Sequence, residues 1–234
     1  MNATPDYRKL WHLFAECLSV NYHHVENGGD YAIRRVNNSV TIFFEHSDGL
    51  LDWRNNFRFA ARPYREMGEP WKCHRGFLSV FRAVKPYLSS VIADETIKKF
   101  TVVGYSHGAA LALLCHEYIW FHRPDLRDSL EGYAFGCPRV FHGRMTPTLQ
   151  ARWEGFLLIK NIDDIVTHLP PRLFGYRHVK APLLIGQKGR YGRVDAHRAE
   201  SYLHELMLTA NRDNDGKGEL VYDRGGDRGF SDET

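Results

Sequence analysis

One stretch constrains this chain more than any other, Thr101–Cys115, TVVGYSHGAALALLC. It opens on Phe100-Thr-Val-Val, a β-branched apolar run of the length of a buried strand. Gly104-Tyr-Ser106-His-Gly108 follows, and then six helix-forming residues from Ala109 to Leu114. Strand, tight turn and helix form the setting in which Gly-x-Ser-x-Gly acts as a nucleophile elbow. The turn forces the serine into a strained backbone conformation, so small residues must flank it. The next amide, that of His107, then stands at a helix N-terminus, where free N–H groups can hold an anion. Without its flanks the five-residue pattern is weak, because an ordinary capped turn reads the same way. The rest of the chain must therefore supply a base and an acid.

The flanking segments predict an α/β fold in one domain. At 234 residues the chain is long enough for one substantial α/β core. Hydrophobic content of 43% and charged content of 25% are globular values. Net charge is +3 with no dense Lys/Arg stripe, which argues against nucleic acid as a partner. The thirteen histidines are scattered and show no zinc spacing, and chemistry at a serine nucleophile requires neither metal nor cofactor. The first residues, MNATPDYRKLWHLF, lack the basic-then-apolar profile of a leader, and no uncharged run approaches a membrane span. That predicts a cytoplasmic protein with reduced thiols, a trimmed secreted form or release by lysis being the alternative. Oligomeric state is not readable.

In chain order, Tyr7, Leu10, Trp11, Phe14 and Leu18 predict an amphipathic helix over Asp6 to Val25, with His23 and His24 at its C-terminus. Tyr31–Ile33 and Val40–Phe44 read as strands joined by a turn at Asn37-Asn38. Phe57 to Lys72 reads as a loop or short edge element. Phe77 to Ala93 reads as a helix with Pro86 as a kink point. Gly132–Gly136 and Phe156–Asn161 read as buried strands, Phe174–Val179 and Leu183–Gly186 as a hairpin or paired short strands, and His197–Leu208 as a helix. The domain is expected to cover 1–210, with 211–234 a polar, poorly ordered tail.

A serine nucleophile needs a base to take its proton and an acid to orient that base. With this elbow the acid and then the histidine follow the serine in the chain. Asp163 and Asp164 directly follow a predicted strand, where open α/β sheets carry their sites. Asp125, Asp128 and Glu131 fall in a solvated turn. His197 lies at a loop-to-helix junction and is favoured by spacing, with His178 as the other candidate. His168 is too close to the acid in sequence to double back, and His204 lies within the last helix.

Several ordered motifs resemble those of the class 3 lipase family, the α/β-hydrolases related to fungal triacylglycerol lipases, and in particular its small bacterial and phage-like members. Phe44-Glu-His-Ser47 with Asp52-Trp53-Arg-Asn-Asn56 resembles the family's oxyanion segment, with Glu45-His46 in place of Arg-Gly. His74-Arg-Gly-Phe77, the elbow itself, Phe135-Gly-Cys-Pro-Arg-Val140, Asn161-Ile-Asp-Asp164-Ile-Val and Asp195-Ala-His197 with Tyr202 follow in the family's order. The resemblance covers about residues 30 to 208. It implies an α/β-hydrolase fold, with a mostly parallel central sheet flanked by helices. It implies Ser106 as nucleophile, Asp164 as acid and His197 as base, with oxyanion amides from Ser47 and His107. His46, Leu50, Leu51, Trp53 and Tyr105 are the candidate substrate contacts. The activity implied is lipase-type hydrolysis of acylglycerol, phospholipid or small acyl esters, with transient contact to a lipid surface. A serine amidase or peptidase, and a hydrolase-fold binding protein without turnover, are the rival readings.

Overall fold

The computed structural model describes residues 5–26, 28–45, 60–66 and 71–214, with side chains through 212. Its centre is a six-stranded sheet in the order β1-β2-β5-β6-β8-β10. These strands are β1 (Tyr31–Val36), β2 (Ser39–Phe44), β5 (Lys99–Tyr105), β6 (Leu130–Phe135), β8 (Phe156–Asn161) and β10 (Leu183–Ile185). β1 and β2 form the predicted antiparallel pair, turning at Asn37 with φ 52°. Every other neighbouring pair is parallel. Side chains alternate between the two faces, as a period of two requires. Val40, Ile42, Phe44, Phe100 and Val102 point into one core, whereas Phe43, Val103, Tyr105, Phe135 and Ile159 point into the other.

The second core is covered by α1 (Tyr7–Ser19) and by α5 (Ala199–Asn214), contributing Tyr7, Leu10, Phe14, Tyr202 and Leu206. The first is covered by α2 (Arg75–Ala93) and α3 (His107–His122). α3 is buried along Gly108–Glu117 and Ile119, apolar nearly all round, as a helix enclosed on every side must be. A smaller antiparallel sheet, β3-β4-β7-β9, leans on it. Its strands are β3 (Ala61–Tyr64), β4 (Trp71–His74), β7 (Phe141–His142) and β9 (Tyr176–Arg177). Tyr64 Oη donates to Leu114 O at 3.1 Å, and Trp71 Nε1 donates to Glu117 Oε1 at 3.2 Å. Glu117 also pairs with Arg152 at 2.6 Å, beside the short helix α4 (Pro147–Ala151).

Several expectations need correction. α1 ends at Ser19, because His23 leaves the helix and bridges to Tyr31 at the sheet edge. His24 accordingly sits beside Asp30, 3.0 Å from its carboxylate, rather than capping the helix. Of the two readings of Phe57 to Lys72, loop or short edge element, the second describes what forms, β3 and the start of β4 in the smaller sheet. The expected 174–186 hairpin does not form: β9 pairs with β7, whereas β10 runs parallel to β8 in the main sheet. The last helix starts at Ala199 and continues to Asn214, leaving His197 in the 3-10 turn Asp195–His197 ahead of it. α2 starts at Arg75, two residues before the expected Phe77, and contains Pro86.

Candidate active site

The site is built where β5 runs into α3. Ser106 caps α3 with φ 56° and ψ −118°, a region that costs a non-glycine residue about 1–3 kcal/mol. The glycines on either side make the turn possible. A Cβ at Gly104 would lie 2.2 Å from the Gly108 carbonyl oxygen. One at Gly108 would lie 2.3 Å from Phe44 O and 2.5 Å from Glu45 O, so the elbow presses directly on the end of β2. The strained residue is held by Ser106 N donating to Phe135 O at 2.9 Å.

Two further loops at the carboxyl ends of strands converge on the serine. Beyond β8, Asp164 is fully buried, and beyond β10, His197 is buried in its 3-10 turn. His197 Nε2 lies 2.8 Å from Ser106 Oγ, and His197 Nδ1 lies 2.7 Å from Asp164 Oδ2. The carboxylate also accepts from Val166 N at 2.8 Å and from Tyr202 Oη at 2.6 Å, so three donors fix its orientation. Tyr202 Oη in turn accepts from Asn161 N at 3.0 Å. Burial, reinforced by the Asp164 charge, pushes the Tyr202 and Tyr105 phenols well above their ordinary range, so both remain neutral donors. The groups meet only because residue 136 is glycine. At φ 59°, a Cβ there would stand 2.9 Å from His197 Cε1 and 3.2 Å from Asp164 Oδ2.

The competing candidates are engaged elsewhere. His178 Nε2 lies 2.9 Å from Thr167 O. His168 sits against Lys160 and Arg139, and burial together with the Lys160 charge lowers it to about 4. The exposed His204 meets Tyr191 Oη at 2.6 Å. Asp163 accepts from Gly189 N at 2.6 Å. Spacing had left His178 and Asp163 open, and the geometry brings neither to Ser106.

His107 is the first residue of α3, so its amide belongs to the helix's unpaired first turn. Its ring packs 5.5 Å from Phe77, which packs 4.7 Å from His74. Burial lowers both imidazoles to about 4, His107 adding to the effect on His74, so they are neutral near pH 7. Ser47, His46, Leu50, Leu51 and Trp53 lie outside the described residues. Tyr105 is corrected: at 3% exposure it faces the α1–α5 core rather than a substrate, and its hydroxyl donates to His197 O. Period two explains this, since the last strand residue before the elbow points away from the face that α3 covers. Gly136 and Asn161, both at strand ends, are the site residues that the motif reading quoted without a role. Among the described residues, no cluster of His, Cys, Asp and Glu of metal-binding type occurs, and no helix is long and apolar enough to cross a membrane.

The chain is similar to several known lipases. A lipase of Rhizomucor miehei is 30% identical over 145 residues, covering 60% of this chain and 40% of that protein. The secreted mono- and diacylglycerol lipase 1 of Fusarium solani is 26% identical over 156 residues, covering 64% and 45%. The chain thus spans less than half the length of these curated relatives. Among solved structures, a triacylglycerol lipase whose catalytic centre is a serine protease triad superposes with a TM-score of 0.62 at 26% identity, covering 72% of this chain and 66% of that one. The triacylglyceride lipase of Rhizomucor miehei gives 0.58 at 25%, covering 71% and 64%. The fold is therefore that of the α/β-hydrolases. The expected cytoplasmic location is overturned: the relatives from Fusarium solani and Malassezia globosa are named as secreted lipases, and the profile of the first residues does not outweigh that. The model of the family described as Lipase (class 3) matches residues 41–174, more than half of the sequence, and the chain belongs to the class 3 lipase family.

Proposed function

We propose that the chain is a serine carboxylester hydrolase of lipase type, cleaving acylglycerol, phospholipid or smaller acyl esters. The observation that carries this reading is the buried line from Asp164 through His197 to Ser106, with both links under 3 Å, in a member of this family. Ser106 Oγ attacks the ester carbonyl as His197 Nε2 takes its proton. Asp164 holds the imidazole with Nδ1–H toward the carboxylate and stabilises the imidazolium that forms. His197 returns the proton to the leaving alcohol, and water repeats the cycle on the acyl-enzyme. The oxyanion rests on the His107 amide and on that of Ser47, each donor contributing about 3 kcal/mol. The same reading takes 1–210 as one hydrolase domain with 211–234 as a tail, and takes the small bacterial and phage-like branch on motif order alone. His46, Leu50, Leu51 and Trp53 are its substrate contacts, and its partners are a lipid or soluble acyl ester and, transiently, a lipid surface.

Ser106→Ala is expected to cut ester turnover by on the order of 10⁴-fold or more and to abolish labelling by a fluorophosphonate. Near-normal hydrolysis by that variant refutes the assignment. A chain-length series of p-nitrophenyl esters with and without micelles separates lipase from soluble esterase. Preference for short chains with no micelle effect removes the lipase reading while leaving the esterase chemistry standing.

A further inference from the structure

The turn that carries the base is tied through its backbone carbonyls to elements beyond its own short helix. Within Asp195–His197 the N–H groups bond locally: Ala196 N to Gly192 O at 2.8 Å and His197 N to Val194 O at 3.0 Å. The three consecutive carbonyls accept from side chains of three different elements, Asp195 O also taking the turn's own bond from Arg198 N at 3.0 Å. Ser201 Oγ on α5 reaches Asp195 O at 2.8 Å. Asn161 Nδ2, from the end of β8, reaches Ala196 O at 3.0 Å. Tyr105 Oη, from the end of β5, reaches His197 O. The Tyr105 ring also stacks on the imidazole, with centroids 5.3 Å apart and planes inclined by 26°. Asp195 is exposed, but Tyr105, Asn161, Ala196 and His197 are buried, where an unmatched carbonyl is costly and the geometry is correspondingly well determined.

We propose that Tyr105 is a positioning residue that, together with Asn161, clamps the Asp195–His197 turn and sets the separation of base and nucleophile. The inference rests on the serine-hydrolase reading above. Tyr105 is covalently adjacent to Ser106, so its backbone carries the nucleophile while its side chain holds the carbonyl and ring face of His197. Two catalytic groups 91 residues apart in sequence are thereby referred to one residue. Asn161 makes the matching link on the acid side. Its side chain holds the base's turn while its N–H holds Tyr202, which bonds to Asp164. The Asp–His and His–Ser distances are thus fixed from the ends of two strands that flank β6.

The test uses the full chain with Tyr105→Phe, which keeps the ring and removes the hydroxyl, and Asn161→Ala as an independent variant should the first fail to fold. Three readouts are taken: kcat and KM on p-nitrophenyl butyrate, the rate of fluorophosphonate labelling of Ser106, and amide hydrogen exchange over 192–198. Tyr105→Phe is expected to lower kcat and the labelling rate together by about 10- to 100-fold, the range that a misplacement of about 1 Å produces. KM stays within about twofold, and exchange over 192–198 accelerates while α3 amides keep their protection. Unchanged kcat and unchanged exchange overturn the proposal. A raised KM at unchanged kcat also overturns it and restores Tyr105 as a substrate contact. If the wild type neither turns over ester nor labels, the hydrolase reading falls, and the exchange comparison still decides whether the clamp exists.

Discussion

Gly136→Ala is the sharpest test of the site, because the structure gives its magnitude. The new Cβ would stand 2.9 Å from His197 Cε1, 3.1 Å from Nδ1 and 3.2 Å from Asp164 Oδ2. Carbon atoms pack at about 3.5–4.0 Å, so the imidazole must retreat by roughly 0.6–1 Å or the β6 end must move. The backbone cannot absorb the strain cheaply. Gly136 has φ 59°, where an L side chain costs about 1–2 kcal/mol, and its N–H is committed to Ile159 O at 2.9 Å. A displacement of that size costs on the order of 10²-fold in rate, because the 2.7 and 2.8 Å bonds on either side of the ring cannot both be kept. Stability should fall by about 1–2 kcal/mol, or roughly 2–8 °C in melting temperature for a chain of this size. The assay is steady-state turnover of a soluble p-nitrophenyl ester, with KM fitted separately, beside a thermal melt. A variant with wild-type kcat shows that the ring does not occupy the position described, and the reasoning fails.

The remaining predictions concern the supports of the site and the core. Tyr202→Phe removes a bond to Asp164 and leaves Asn161 N without its acceptor, so denaturant unfolding should show a loss of roughly 1–3 kcal/mol and kcat should fall at constant KM; unaltered stability and kcat would count against the network. Glu117→Ala removes the carboxylate that Arg152 and Trp71 Nε1 share and should cost roughly 3–5 kcal/mol, read as a lowered denaturation midpoint at an unchanged m-value; a variant as stable as the wild type would show that the pair is dispensable. His116 is 1% exposed and packs 5.0 Å from Phe156, and burial, then Lys180, lowers it to about 3. Below pH 6.5 the unfolded chain takes up a proton that the folded chain refuses, so this group's contribution is intact above pH 6.5 and is lost as pH falls toward 3. Between pH 7 and pH 5 the loss is about 2 kcal/mol. His116→Leu should flatten the acid limb of a stability–pH curve by that amount, and an unchanged slope refutes the assignment.

What could be read from the residues was whatever a local pattern encodes. The elbow was legible because strand, glycines and helix are contiguous, and β1–β2 because two alternating runs meet at Asn37-Asn38. β8 was legible to the residue because Phe156–Asn161 opens on four apolar residues and is bounded by turn residues. The smaller sheet was not, since strands of two to four residues, one containing Pro63, carry too few alternations to register a period. β9 and β10 looked like a hairpin because adjacency in sequence was their only signal, and their true partners, β7 and β8, are distant in the chain. The choice of His197 over His178 depended on which loop bends over Ser106, a tertiary fact that spacing favours without deciding. Tyr105 was misread because its neighbour in the motif is the nucleophile, although adjacent strand residues face opposite ways. Asn161 and Gly136 carried residue types suited to their roles, but no local rule names the carbonyl or the ring that each one serves.

The enclosure of α3 has a consequence for how the protein would lose activity. The serine is mounted at the head of a helix whose first turns are buried, wedged between the main sheet, α2 and the smaller sheet. A mount of that kind has no private way to loosen. Heat or denaturant should therefore silence Ser106 only when the whole central body gives way, with inactivation and global melting superimposed, whereas the turn bearing His197, held at the rim by three side chains, is where mutation can detune the chemistry in a molecule that still stands.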